Sequence, residues 1–513
     1  MPPVRRPPVR LRSYALVFGL LASFLILLHA SLLDLPFYWD ELGQFVPAAL
    51  DLFRTGAWIP VSTVPNVHPP GVMAYLALCW SIFGYSILAT RLAMLVLAAF
   101  GALVTFLLAI ELGRGAMGTP AFTALALLCL SPLFFAQSML AQLDVPAMCF
   151  SLLALLLFLQ DRYRACAVVC MVLVLVKETG AVVPALFGCW LLFERGGRRE
   201  RRERLQALWF LLPFPGLLIW LVALHHSTGH WFGNAAFAAY NVREPLHPTR
   251  FLLAFARRLY YLFIGTGHFI GTLALLWALR RMPLFKARSW RIAWAFVLAQ
   301  ILLVSALGGA VLERYLLPAL PVVYIAFAVS LRALMPRTRL LALAALVACL
   351  IAANFVNPPY PFPFENNLAF VTFVGLEESA AGTVEQHAGA YPGGGLVAAS
   401  FPVDDALRNP DFGFVQTPRK VIEIPDFSRP EVEKLKARGP DMAPDMIVVY
   451  RRTWDPLHLL DHPAVSGFCA RWYGYVPEMS ADQIARALSM RVARSWTRRG
   501  LSMELLERTP MLK

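Results

Sequence analysis

The sequence predicts a mainly α-helical, polytopic transmembrane domain followed by a small α/β domain outside the membrane. Three observations predict it. Of 513 residues, 58% are hydrophobic and 15% are charged, with mean hydropathy +0.60, which is too apolar for a soluble enzyme. Apolar runs of about 17–25 residues, the length that crosses a bilayer, recur up to about residue 356 and then stop. The charge divides at the same place. From Asn357 onward 17 Lys+Arg face 19 Asp+Glu, a net of −2, whereas residues 1–356 hold 29 basic against 13 acidic residues, a net of +16. Domains are therefore expected at 1–356 and 357–513.

A total charge of +14 could suit a nucleic-acid partner, but its placement argues against one. The basic residues form short clusters between apolar runs: Arg5 to Arg12, Arg162 and Arg164, Arg195 to Arg204, Arg280 to Arg291, and Arg332 to Arg339. Such clustering marks the cytoplasmic loops of a membrane protein. Seven of the eight cysteines lie in apolar segments, and Cys469 stands alone in the terminal domain, so no disulfide framework is expected there. The first apolar run has a basic front but no small-residue cleavage site, and reads as a retained span.

Candidate spans fall near 14–33, 89–112, 118–137, 146–160, 165–178, 181–194, 206–224, 256–279, 292–311, 316–331 and 340–356. Eleven to thirteen crossings are expected, and eleven put every basic cluster on the N-terminal side. Residues 70–85 are also apolar. Counting them as a span would export the block Arg195 to Arg204; merging 165–194 into one helix would repair that but leave Arg114, Arg162 and Arg164 outside, so 70–85 are expected to lie in or dip into the outer interface. The runs 165–178 and 181–194 are short for full crossings and flank "KETG", which suggests a hairpin with a recessed tip.

The first outer loop opens with "FYWDELGQ", Phe37 to Gln44. Leu42, Phe45, Val46, Ala49, Leu50 and Phe53 recur at helical spacing, predicting an amphipathic interfacial helix whose start Pro47 delays or kinks. In the terminal domain, 395–401, 420–424 and 445–450 read as strands, and "RPEVEKLKARG" and "SADQIARALSM" as helices. Ser480 and Gln483 have capping-box spacing.

No stretch has Walker, Rossmann, zinc or serine-hydrolase spacing. What remains is one set of charged residues gathered at the outer face: Asp40, Glu41, His68, Asp144, Lys177, Glu178, Arg243 and Arg314. Ionisable residues at membrane depth are functional candidates by default. Transfer of a sugar from a lipid phosphate needs little else. The phosphate leaves without a general acid, cations hold its charge, and one carboxylate orients and deprotonates the acceptor hydroxyl. Each residue also has a plainer reading. Asp40 and Asp144 could cap helices, His68 could pack before its Pro-Pro turn, Lys177 could pair with Glu178, and Arg243, Arg314 and Tyr315 could anchor the interface. His225 and His226 are adjacent, which suits shared metal ligation poorly. Mg²⁺ or Mn²⁺ between Asp40 and Asp144 is conceivable.

The ordered motifs "WDELGQFVPAALDLFRTGAWIP", "NVHPPG", "LAQLDVPAMCFSLLALLLFL", "LVKETG" and "ERYLLPALP" resemble glycosyltransferase family 39, the protein O-mannosyltransferase and lipid A aminoarabinose transferase-like group with the C-type glycosyltransferase fold. The resemblance covers about residues 10–330. It implies an inverting enzyme of the cell envelope that takes a sugar from a polyprenyl-phosphate donor at the outer face. By that resemblance Asp40 matches the acceptor-activating base, with Glu41 beside it. His68 matches the position near the donor phosphate, Asp144 the second outer-loop acid, and Lys177 the short-hairpin lysine. Arg243 and Arg314 are added as phosphate-binding candidates on chemical grounds. The acceptor is a hydroxyl on a lipid, glycan or protein. The expected setting is a bacterial inner membrane, N-terminus cytoplasmic and terminal domain periplasmic or extracellular. The alternative is a lipid or sugar flippase, which internal repeats and charges at the midplane would favour; neither is seen in the sequence.

Overall fold

The computed structural model describes residues 11–113, 120–194, 204–310, 312–357, 364–439, 442–451 and 455–508. Arg5, Arg6, Arg10, Arg114 and the basic block 195–203 lie outside the described residues. The chain divides into two compact units: Met1–Leu33 with Ala48–Ala353, and Asp34–Pro47 with Asn354–Lys513.

The first unit is helical because its apolar runs must satisfy their backbone groups internally. Its helices are α1 (Leu11–Leu28), α2 (Val46–Thr55), α3 (Gly71–Phe83), α4 (Ile87–Leu112), α5 (Ala121–Leu130), α6 (Pro132–Gln137), α7 (Asp144–Leu159), α8 (Tyr163–Val176), α9 (Val182–Phe193), α10 (Pro213–Thr228), α11 (Pro248–Phe263), α12 (His268–Leu279), α13 (Arg288–Ala306), α14 (Leu320–Leu331) and α15 (Pro336–Ala353). Among the described residues, five stretches are long and apolar enough to cross a membrane: Ile87–Leu112, Arg204–Thr228, Pro248–Leu279, Arg288–Ala306 and Pro336–Ala353.

Two expected spans are broken. The run 118–137 is interrupted at Ser131, held extended (ψ 124°) by the following Pro132, because a residue before proline avoids the helical region. The run 256–279 breaks over Gly265–Gly267, where Thr266 takes φ +52°. Gly267 has φ +85°, and a Cβ there would meet Cys349 Cβ at 2.3 Å, so only glycine makes this turn. The short pair 165–178 and 181–194 does form two helices, α8 and α9, parted by an extended Lys177 and a 3₁₀ turn Glu178–Ala181.

Side-chain contacts define two ends of this unit. At one end Arg288 Nε lies 2.9 Å from both oxygens of Glu194, and its Nη1 is 3.5 Å from Asp161. Trp290 Nε1 donates to Leu112 O at 3.0 Å nearby. The ends of α4, α7 and α9 and the start of α13 therefore meet beside the basic loops. At the opposite end, Arg91 donates to Met139 O (3.1 Å) and Lys177 to Asp144 (2.6 Å). His29, just past α1, stacks on Phe135 there.

This arrangement decides the role of residues 70–85. α3 begins beside the His68–Glu178 pair, and near its far end Trp80 Nε1 donates to Thr90, next to Arg91. Both ends of α3 thus lie at the Asp144 end. Its 13 residues span roughly 20 Å, short of the roughly 30 Å hydrocarbon core. α3 does not cross.

The second unit carries a five-stranded sheet in the order β2-β1-β3-β5-β4. β1 (Leu396–Ala399) pairs parallel with β2 (Lys420–Glu423) and β3 (Met446–Tyr450). β5 (Leu501–Glu507) pairs antiparallel with β3 and with the edge strand β4 (Arg491–Arg498). Helices α16 (Ala369–Ala388), α17 (Val403–Arg408), α18 (Arg429–Lys436), α19 (Pro463–Tyr473) and α20 (Ala481–Leu488) complete it. Ile422, Ile447 and Leu506 of the sheet pack on Val432, Leu435 and Ile484 of α18 and α20. The capping box forms: Gln483 N donates to Ser480 Oγ, and Ser480 N to Gln483 Oε1 (2.9 Å). The first three strands and these two helices stand where the sequence put them; α16, β4 and β5 were not anticipated.

With the N-terminus inside, an odd number of crossings puts the terminal domain outside. In a cysteine-free background, an impermeant thiol reagent should label Ala470→Cys, exposed on α19, and not Met335→Cys, 73% exposed between α14 and α15. The reverse pattern would invert the topology.

Candidate active site

The first unit builds a buried charge cluster where three chain segments end. Asp144 opens α7, Lys177 closes α8, and Arg314 sits in the 3₁₀ turn Glu313–Leu316 that leads into α14. Because α7 and α8 run antiparallel, the start of one and the end of the other share a level. Lys177 Nζ is 2.6 Å from Asp144 Oδ1, and Arg314 Nε is 3.2 Å from Oδ2. Arg314 Nη1 also donates to the Gln142 side chain. Lys177 Nζ lies 4.4 Å from the Tyr315 ring centroid, with the guanidiniums of Arg314 and Arg258 at 5.6 and 5.8 Å. Three cations thus gather at one aromatic ring, two of them paired with one carboxylate.

Arg258, on α11, was missed by the sequence reading. Its side chain is fully buried, and its Nη1 donates to Leu312 O. Its Nε and Nη2 have no hydrogen-bond partner among the described residues. Arg257 is instead paired with Glu313 at 2.6 Å. A signal was present: Arg250, Arg257 and Arg258 are seven and eight residues apart, on one helical face of an otherwise apolar run.

His68 and Glu178 form a second pair at the same end, Nδ1 to Oε2 2.9 Å, with Phe237 edge-on to the imidazole. Arg243 is exposed at the end of a π-helical turn and makes none of these contacts. Its neighbour Asn241 instead ties the loop to 308–309, accepting from Gly308 N (2.8 Å) and Gly309 N (3.1 Å). His225 lies tilted against Trp231, ring centroids 4.4 Å apart.

Asp40 and Glu41 belong to the second unit, and the two acids differ. Glu41 is fully buried, and its Oε2 accepts the Tyr38 backbone N–H at 2.8 Å, tying down its own loop. Asp40 is half-buried and follows Trp39, whose φ of +50° is strained for a bulky residue. The segment is anchored by aromatics: Trp39 meets Phe401 and Phe373 edge-on, and Phe37 N donates to Phe412 O at 3.3 Å. A Cβ at Gly43 would fall 2.6 Å from the Phe401 ring, so a larger residue there would push that ring aside.

Beneath it lies a buried acidic centre. Burial, then the charges of Glu365 and Glu377, push the Tyr38 hydroxyl well up. Glu377 is fully buried without a hydrogen-bond partner for either oxygen among the described residues. Burial, then Asp404, Glu378 and Asp405, hold its carboxyl protonated well above the usual range. Burial and Asp404 push Asp405 up to about 7, against the opposing pull of Arg408.

A divalent ion does not fit the charge cluster. Both Asp144 oxygens already face cations, and no group of three or more His, Cys, Asp or Glu among the described residues is arranged to hold a metal.

No protein-family profile and no curated protein matches the sequence. Solved structures do. ArnT from Cupriavidus metallidurans bound to undecaprenyl phosphate matches with TM-score 0.55 at 15% identity, over 97% of this chain and 98% of ArnT. Its apo state gives 0.54 at 16% identity, over 96% and 98%. The archaeal oligosaccharyltransferase AglB from Archaeoglobus fulgidus, solved with an inhibitory peptide and a dolichol-phosphate, gives 0.51 at 10% identity, over 85% of this chain and 69% of AglB. The chain has the fold of polytopic membrane glycosyltransferases, as its sequence resemblance implied.

The acidic centre gives the terminal domain a pH dependence. Asp405 titrates at about 7 in the fold and about 4 when unfolded, so between those values the folded state binds more protons. Its contribution is full below about pH 4 and is lost as pH rises through about 7. Glu377 and Asp404, shifted the same way, extend the trend. The melting temperature of the full-length protein should fall over this window. Asp405→Asn should flatten the fall; an unchanged slope would remove Asp405 from it.

Proposed function

We propose that the protein is an inverting membrane glycosyltransferase that moves a sugar from a polyprenyl-phosphate donor to an acceptor hydroxyl. The observation that carries this reading is the surplus of cations around Tyr315, in a chain with the fold of ArnT and AglB. Lys177, Arg258 and Arg314 supply three positive charges against Asp144, a surplus of two. A sugar–phosphate–polyprenyl diester carries one negative charge, and the departing polyprenyl phosphate carries two. The surplus therefore suits the leaving group better than the donor. That difference accelerates a reaction rather than merely binding its substrate.

The chemical step is a single displacement. The acceptor oxygen bonds to the anomeric carbon as the bond from that carbon to the phosphate oxygen breaks. The electron pair leaves with the phosphate, and the hydroxyl proton passes to Asp40. Arg258 presents two unused N–H groups to the phosphate, while Lys177 and Arg314 divide their charge between it and Asp144. Asp144 acts as a positioning residue that holds the two cations apart when no phosphate is bound. His68 and Glu178 orient each other beside the donor. Glu41 shapes the loop that carries Asp40. No step is assigned to a metal ion, and Arg243 is left to the rim. The role of Asp40 rests on the "WDELGQ" motif, its partial exposure and the strain at Trp39.

Two measurements test this. Arg258→Gln should raise the donor KM or lower kcat by roughly 10–100-fold, the loss of one charge-assisted phosphate contact. Wild-type kinetics in a folded variant would remove Arg258 from the donor site. Asp40→Asn should lower turnover by roughly 10²–10⁴-fold with donor binding retained. If the folded variant turns over normally, Asp40 is not the base.

A further inference from the structure

β4 is an edge strand in a domain with no net basic charge, yet its charged residues are all arginine: Arg491, Arg494 and Arg498. In a regular strand Arg491 and Arg494, three apart, would point to opposite faces. A β-bulge brings them together. Arg491 stands opposite Glu507 and Val492 opposite Leu506, but Arg494 stands opposite Leu505, which leaves Ala493 over. Trp496 and Arg498 follow, opposite Met503 and Leu501. Residues directly opposite share a face, so Arg491, Arg494, Trp496 and Arg498 form one stripe. The other face of β4 carries Val492, Ser495 and Thr497 and no charge.

The stripe is open. All three arginines are exposed, and Trp496 is half-buried. Arg491 has one loose partner, Glu507 at 3.7 Å, which is already paired with His387. Arg494 and Arg498 form no ion pair among the described residues. Helix α16 lies on the same face of the sheet: its Phe373 ring meets Tyr450, opposite Met503, with centroids 5.2 Å apart. Beside β4 this helix is small. A Cβ at Gly375 would stand 3.6 Å from Arg498 Nη1, and one at Gly382, two turns on along the same side, would meet nothing within 4 Å. A trough therefore runs between α16 and the arginines.

The plainer reading is that the arginines guard the edge against pairing. Charges on either face would do that, and the bulge already spoils the edge. What guarding leaves unexplained is three cations and an indole brought to one face. From Leu501 to Glu507 the stripe runs roughly 20 Å, its members about 7 Å apart. Guanidiniums so spaced suit a chain of carboxylates or phosphates rather than a single ion. The indole in their midst offers an apolar plate of the size of a sugar ring. An acidic peptide would instead add itself at the edge, which the bulge disfavours.

We infer that the trough between β4 and α16 binds a linear acidic saccharide, a sugar chain bearing carboxylate or phosphate groups. Arg491, Arg494 and Arg498 hold its anions, and Trp496 stacks on a ring between them. This binding needs no sugar transfer and is read without it.

The test is calorimetric titration of the full-length protein in phosphatidylcholine nanodiscs with oligogalacturonate and with phosphorylated dextran. One or both should bind, and the tighter names the anion. Arg494→Gln/Arg498→Gln should weaken binding on the order of 10-fold, as the loss of two exposed ion pairs would. Arg486→Gln removes an exposed charge from α20, which packs on the opposite face with Leu506, and should change nothing. Neutral dextran, poly-glutamate and phosphatidylglycerol vesicles should all bind more weakly. Failure of both acidic saccharides to bind overturns the proposal. So does wild-type affinity in the double variant, an equal loss in Arg486→Gln, or equal binding of the neutral dextran, the peptide or the vesicles.

Discussion

The first unit depends on one constraint: charges buried at the ends of apolar helices must satisfy one another. Asp144, Lys177, Arg258 and Arg314 are each less than a tenth exposed. Removing one partner from such a group leaves an uncompensated buried charge, at roughly 3–5 kcal/mol. That penalty ties the start of α7, the end of α8 and the approach to α14 to one level. The same grouping leaves positive charge over, so the contacts that fix the helices also supply the cationic surplus on which the proposed donor site rests.

The break between α8 and α9 is what lets Lys177 reach that level. A continuous helix over 163–193 would carry the lysine past Asp144 on a rigid rod. Instead Lys177 is extended (φ −154°), and the chain turns back through Gly180. A Cβ at Gly180 would lie 2.6 Å from Leu173, and one at Gly71 would lie 2.4 Å from the carbonyl oxygen of Leu175. The glycine of "HPPG" therefore packs on the backbone at the end of α8, just before "KETG", and the glycine of "KETG" packs on Leu173 of the same helix. His68 and Glu178 are the polar consequence of that close approach.

How much of this the sequence disclosed follows from what kind of signal each part emits. Apolar run length gave the helices, and 70–85, expected in the interface, folds as a helix with both ends at the Asp144 end of the unit. Asp144, Lys177 and Arg314 were legible because charges stand out against hydrocarbon. Arg258 was not, since an adjacent pair of arginines in "FARRLYYL" looks like an interfacial rim until one knows that Arg257 is neutralised by Glu313. β4 and β5 were illegible for a different reason. β4 is exposed on both faces and has no period-2 pattern to read, and without it β5 has no visible partner. The acidic centre of Glu377, Asp404 and Asp405 gathers residues from α16 and α17, which only the tertiary fold brings together.

The two acids of "FYWDELGQ" look equivalent in sequence, and the structure separates them by the demands of burial. Glu41 is fully enclosed and spends its carboxylate on the Tyr38 backbone, since a buried charge without a partner would not be tolerated. Asp40 is left half-exposed. Trp39 makes this difference possible. Its left-handed backbone turns the chain by one residue, so that Glu41 is directed inward and Asp40 is not, and its ring, wedged against Phe401 and Phe373, holds that strained conformation in place. A proton acceptor must keep water or substrate on one side and a fixed backbone on the other. Of the two carboxylates, Asp40 is the one whose partial exposure suits the role proposed for it.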